Sequence, residues 1–134
     1  MFNMQKILLL SIVSLLSAGL APAQDTSRDV FTPISKYISA GDYESLSVWF
    51  ADNLELEVLG AVSNCTRSQA KLIMKDFFTK YTPKEFSIIH KSGKSPMKYA
   101  VGVLNAGGEH FRIILYVKIT TKTSYIEQVK VERV

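Results

Sequence analysis

Few side chains in this sequence combine a reactive type with a useful spacing. Glu55 and Glu57, two apart in Leu54-Glu55-Leu56-Glu57-Val58, come nearest to a hydrolytic carboxylate pair, which needs one member in a dry pocket. Strict alternation puts them on one strand face, roughly 6.5 to 7 Å apart along the backbone, and opposite the apolar residues. That face is wet, so they read as solvating groups. Cys65 stands just before Thr66, where the positive end of a following helix would favour a thiolate. It is the one cysteine of the chain, has no Cys-x-x-Cys partner, and reads as a buried, inert thiol. Asn64-Cys65-Thr66 also spells the N-glycosylation triplet, which matters only in a host that performs that modification. His90 follows Phe86 and Ile88 in phase, turning it toward the expected concave face, and His110 adjoins a turn. Two histidines without ligand spacing make no metal signature. We assign no catalytic residue, metal or cofactor.

Binding candidates are aromatic and apolar. Tyr37, Trp49, Phe77, Phe78, Tyr81, Met97 and Tyr99 fall on faces expected to meet between helices and sheet. Most are core, but Trp49, His90 and Tyr99 are expected to line a cavity at the open end of the fold, with apolar walls and polar tips suited to a small apolar ligand. Ile89, Leu104, Ile114 and Tyr116 are expected on the opposite sheet face, where clustered apolar side chains form a self-association surface. Arg67, Lys71 and Lys75 recur at i, i+4 and i+8 and read as a solvated helix face.

The elements that position these residues follow from periodicity. Val30, Phe31, Ile34, Tyr37 and Ile38 predict an amphipathic helix over Asp25 to Ala40, closed by Gly41. Asp42 offers an N-cap to a short second helix carrying Leu46, Trp49 and Phe50 and ending near Asp52-Asn53. A strand over Leu54 to Val58 and a polar loop follow. Thr66-Arg67-Ser68-Gln69 is a capping box opening a third helix, which Thr82-Pro83 stops. Four strands are then expected, over Glu85 to Lys91, Met97 to Leu104, Glu109 to Thr121 and Tyr125 to Val134, as an antiparallel meander. Ile126 and Val129, three apart, break the period of two and predict a bulge.

Lys6, the apolar run Ile7 to Leu20 and Ala21-Pro22-Ala23 read as a signal peptide over residues 1–23. The run is about fourteen residues, short of the roughly twenty needed to span a bilayer. Residues 24–134 then form one domain, large enough for a core without cross-links, with no transmembrane segment after cleavage. The single cysteine excludes an internal disulfide and fits a bacterial periplasm. Charge is polarised: residues 25–57 carry seven acidic and two basic groups, residues 58–134 five acidic and thirteen basic. Export and the lack of a reader motif disfavour nucleic acid as a partner.

The element order ααβαββββ in just over a hundred residues resembles the nuclear transport factor 2-like superfamily. That resemblance implies an α+β cone, a curved antiparallel sheet wrapped around three helices. The leader, Gly41-Asp42-Tyr43-Glu44-Ser45-Leu46 and Ser68-Gln69-Ala70-Lys71 to Asp76-Phe77-Phe78 resemble uncharacterised small secreted proteins of Bacteroidetes. Superfamily members include isomerases, cyclases, dehydratases and binding domains, and relatives often pair through the sheet, so the resemblance implies a homodimer. The isomerase pattern needs acidic groups facing the hollow. Here the inward positions expected from alternation are Leu54, Leu56, Val58, Phe111, Ile113, Leu115 and Val117. The reading is therefore a periplasmic, non-enzymatic ligand-binding or protein-interaction module. Two alternatives remain: a small ketosteroid-isomerase or cyclase-type enzyme, which requires a buried ionisable group at the cavity and would be favoured by Asp52, Asp76 or His90 inside a closed one, and a structural, envelope-associated dimer.

Overall fold

The computed structural model describes residues 29–134; the expected leader, its cleavage junction and the stretch 25–28 of the first expected helix lie outside them. Helix α1 spans Phe31–Ala40, where Asp29 takes the place of a cap. The Phe31 N–H donates to its Oδ1 at 3.0 Å and the Thr32 hydroxyl to its Oδ2 at 2.6 Å, satisfying donors that a first turn leaves free. Phe31, Ile34 and Ile38 form its buried stripe, and Gly41 ends it at φ 66°, a left-handed position that suits glycine. Helix α2, Tyr43–Val48, is capped by the Asp42 carboxylate, which accepts from the Ser45 N–H at 3.1 Å. It stops earlier than the sequence predicts, because Phe50 and Ala51 are already buried strand residues.

Strand β1 covers Phe50–Val58 and turns at Leu59-Gly60 into β2, Ala61–Thr66. The segment expected as a loop is therefore an edge strand, with one buried residue, Cys65. Helix α3, Arg67–Lys80, starts from the full capping box: the Gln69 N–H donates to Thr66 Oγ1 and the Thr66 N–H to Gln69 Oε1. The meander follows as β3 Pro83–Lys94, β4 Met97–Ala106, β5 Glu109–Ile119 and β6 Ser124–Arg133. Gly107 and Gly108, both at positive φ, make the two-residue turn between β4 and β5 that matches strand twist.

The six strands form one curved, unclosed sheet in the order β2-β1-β6-β5-β4-β3. Its pairings are antiparallel except that β1 runs parallel to β6, so the sheet is mixed and not wholly antiparallel. The β6 bulge is present: Tyr116 pairs with Gln128 and Val117 with Ile126, leaving Glu127 as the extra residue. The helices cover one face. Against it lie Leu54, Leu56, Leu104, Phe111, Ile113, Leu115, Val117, Ile126, Val129 and Val131, and full burial of a side chain such as Phe111 contributes on the order of 2 to 3 kcal/mol. Val58 is half-buried at the rim of this core. Phe77, Tyr81 and Phe111 pack as an aromatic trio, with ring centroids 4.9 to 5.2 Å apart.

One close approach sets the spacing of β3 on β4. A Cβ built on Gly102 would lie 2.3 Å from Cζ of the Phe86 ring and 3.0 Å from the Ser87 carbonyl. Gly102→Ala is expected to cost about 1 to 3 kcal/mol in chemical denaturation, the range for overpacking, and Phe86→Leu in the same chain to return part of it. A variant as stable as the parent would show that the ring has room to move.

Candidate interaction face of the sheet

The face turned away from the helices carries the functional candidates. On β5, Tyr116 stands between Tyr99 of β4 and Gln128 of β6, Ile114 between Val101 and Lys130, and Arg112 between Val103 and Glu132. Beyond β6 on β1, Glu55 lies beside Gln128 and Glu57 beside Lys130. Apolar side chains therefore concentrate on β4 and β5. The Tyr99 and Tyr116 rings sit 5.7 Å apart, and the His90 ring 5.8 Å from Tyr99.

A chain of charges borders this patch. Lys130 lies 3.6 Å from Glu57 and 3.7 Å from Glu132, and Arg112 meets Glu132 at 2.9 Å. The hydrogen bond from Arg112 holds the Glu132 carboxyl below the usual carboxylate range. Glu55 accepts from the Gln128 amide at 3.1 Å. Both strand glutamates thus sit on the face opposite the core, as alternation predicts, and are tied into its polar border.

Several expected placements change. Leu104 does not join the outer face: it pairs with Phe111 and is fully buried in the core at 0 % exposure. Val101 and Val103 take the outer positions of β4 instead. Both faces of that strand are apolar, so only its pairing with β5 separates them. His90 does not face the concave side. Ile88 pairs with Gly102 and His90 with Val101, so Ile89 is an extra residue that reverses the phase and leaves His90 exposed beside Tyr99. Ile89 itself is 63 % exposed at the sheet edge. Ile114 and Tyr116 occupy the outer face as expected.

Trp49 is not brought to His90 and Tyr99. It lies at the α2–β1 junction, packs against the core, and lines a shallow cleft of about 230 Å³ with Val30, Val48 and Ser124. The three expected cavity residues therefore fall in two places. Asp52, Asp76 and His90 are all exposed. Arg67 donates to the Phe50 carbonyl and to Asp52, both at 3.0 Å, and Lys75 lies 5.8 Å above the Tyr43 ring, so the two ends of the basic stripe touch the elements beside α3. Among the described residues no group of three or more His, Cys, Asp or Glu converges to hold a metal, and no helix is long and apolar enough to cross a membrane.

The family described as a domain of unknown function, DUF4783, matches residues 31–132. The chain belongs to the DUF4783 family. Solved relatives share its frame. A DUF4783 protein from Bacteroides uniformis superposes with a TM-score of 0.75 at 16% identity, covering 79% of this chain and 98% of its own. One from Bacteroides ovatus gives 0.72 at 22% identity, covering 76% and 93%. A nuclear transport factor 2-like protein of unknown function from Cytophaga hutchinsonii gives 0.59 at 10% identity, covering 83% and 92%. At these identities the likeness establishes fold. No curated protein matches the chain.

In this DUF4783 chain Cys65 is buried at the N-terminus of α3, its Sγ 3.7 Å from the Leu54 carbonyl, and burial pushes the thiol pKa up. Ellman's reagent at pH 7.5 is expected to react with native protein at least about tenfold more slowly than with free cysteine, because the thiolate is the attacking species. Denaturant should restore the ordinary rate. Rapid native labelling would mean that the helix terminus prevails.

Proposed function

We propose that this chain is an exported, periplasmic, non-enzymatic interaction domain that pairs with a second copy of itself through the outer face of β4 and β5. The observation that carries the reading is the contrast between the two sheet faces. The helix side is filled by apolar residues, and among the described residues the buried polar or charged residue is Ser47, whose hydroxyl already donates to the Glu44 carbonyl. A reaction using that hollow would want a carboxylate or imidazole there, whereas the ionisable side chains of the core are Cys65, whose thiol pKa is raised by burial, and Tyr81, whose hydroxyl accepts from Arg133. The outer side instead presents Tyr99, Val101, Val103, Ile114 and Tyr116 within a polar border. Export rests on the leader read from residues 1–23 and on the resemblance to small secreted proteins.

A second copy fits this face better than a strongly charged partner. The bordering charges Glu57, Lys130, Glu132 and Arg112 cancel within each chain, so that side of the border adds no net repulsion between like copies and leaves Lys118, next to Tyr116 on the same face, as the charge to be accommodated. A two-fold axis between β4 and β5 lays Tyr116 and Ile114 of one copy on Tyr99 and Val101 of the other. This makes the apolar centre and polar rim of an isologous contact. Tyr116→Lys is expected to shift the mass by light scattering from dimer to monomer, with the unfolding midpoint near that of the parent at low concentration. A monomeric parent, or a dimeric variant, refutes the pairing.

A smaller observation favours ligand binding as a second reading. Val48 is 75 % exposed beside Trp49, leaving an apolar cleft wall uncovered. Trp49 is the sole tryptophan, so its fluorescence reports the cleft directly. Titration with a medium-chain fatty alcohol should shift its emission saturably, and Val48→Asp should abolish the response. A flat titration removes this reading.

A further inference from the structure

A different cleft, of about 300 Å³, opens where the β3–β4 hairpin meets the start of α1. It lies on the helix-bearing face, away from the proposed pairing surface. Lys91 stands opposite Ala100, and Lys98 opposite Gly93 and Val117. Ala100 and Val117 are fully buried core residues, so the two lysines rise from the same face as a diagonal cross-strand pair, roughly 7 to 8 Å apart at their bases. At Gly93 the two strands approach closely, since a Cβ there would fall 2.6 Å from the Met97 carbonyl oxygen and 3.0 Å from Lys98 Cα, so backbone forms this part of the cleft wall.

The charges of this cleft do not cancel. Asp29 is the carboxylate of the lining, 3.9 Å from Lys91. Both of its oxygens already accept from the first turn of α1, one from the Phe31 N–H and one from the Thr32 hydroxyl. Among the described residues Lys98 belongs to no ion pair. Lys94 and Lys118, both across from Met97, stand on the opposite face and do not line the cleft, though they add to the positive field at this end of the sheet. Two ammonium groups of like sign held on adjacent strands gain from an anion placed between them, and the cleft has the volume to take one.

We propose that this cleft binds a small oxyanion, a phosphate, sulfate or carboxylate group clamped between the ammonium groups of Lys91 and Lys98. Such a group occurs free in solution and as the headgroup of an anionic lipid. Isotope-labelled protein at low ionic strength is titrated with inorganic phosphate, following the Gly93 and Lys98 amides by NMR, and in parallel with phosphatidylglycerol or phosphatidylcholine vesicles. Saturable shifts are expected. Lys91→Gln and Lys98→Gln should each weaken binding about three- to fivefold, the loss of one exposed ionic contact, while Lys122→Gln at the β5–β6 turn leaves it unchanged. Saturation by free phosphate assigns a soluble anion. A response only to phosphatidylglycerol, weakened in K98Q and not in K122Q, assigns a headgroup. Linear shifts with phosphate and no retention on either vesicle, or equal binding by K98Q and the parent, overturn the proposal. The pairing surface is on the other face, so the two ideas fail independently.

Discussion

The parallel seam between β1 and β6 is the constraint on which the architecture depends. Phe50 pairs with Ile126, and Leu56 and Val58 with Val129 and Val131, while the Ile126 N–H donates to the Trp49 carbonyl at 2.6 Å. This seam joins the β1–β2 hairpin, with α2 and α3 beside it, to a meander formed from the chain's far end. Its residues are among the most buried in the molecule: Phe50, Leu56, Ile126, Val129 and Val131 lie at 0 to 2 % exposure. Parallel pairing gives somewhat less hydrogen-bond stability per residue than antiparallel pairing, so apolar burial across the seam has to supply the difference. The register shift between Phe50 and Glu55 lets β1 leave α2, swing onto β6 and still keep Leu54 and Leu56 facing inward.

What was legible in the sequence follows from what each signal measures. Capping chemistry is local, so Thr66 with Gln69 and Asp42 with Ser45 located two helix starts to the residue. Burial on one face is nearly local, so the alternation in β1 and β5 chose the inward side correctly. The bulge in β6 was legible because Ile126 and Val129, both buried, are three apart. The bulge in β3 was not. Ile88 and Ile89 are adjacent and both apolar, and nothing in the sequence says which one drops out of phase; hence His90 was assigned the wrong face. Leu104 failed for a related reason, since β4 is apolar on both sides and its orientation is fixed by Phe111 across the ladder. Strand β2 escaped because pairing with β1, and not burial, makes it a strand: Val62 is 58 % exposed. The parallel β1–β6 pairing has no periodic signature at all.

The same frame occurs in relatives at 10 to 22% identity, so its core can be rebuilt from many apolar residues without fixing any chemistry. The frame therefore assigns no function by itself, and the candidate site, built from exposed side chains, was only partly legible in the sequence. Ile114 and Tyr116 could be found by alternation. The converging positions of Tyr99, Val101 and Lys130 required the register, because they come from two strands, β4 and β6, that meet only through β5. Lys91 and Lys98 look in the sequence like two of many lysines, and become a pair only when β3 and β4 are aligned.

The border of the outer face shows how weak interactions can still define a surface. An exposed ion pair contributes about 0 to 1 kcal/mol, so the chain Glu57, Lys130, Glu132 and Arg112 adds little to the stability of the fold. What it fixes is position. Arg112 reaches from β5 to Glu132 on β6, and Lys130 from β6 to Glu57 on β1 and to Glu132, so these side chains lie along the sheet beside Ile114. Loss of rotamer freedom, which makes such pairs poor stabilisers, is here incurred once on folding and does not recur when the apolar strip is covered. A face whose border charges are already paired meets a partner at lower entropic cost than its modest area would suggest.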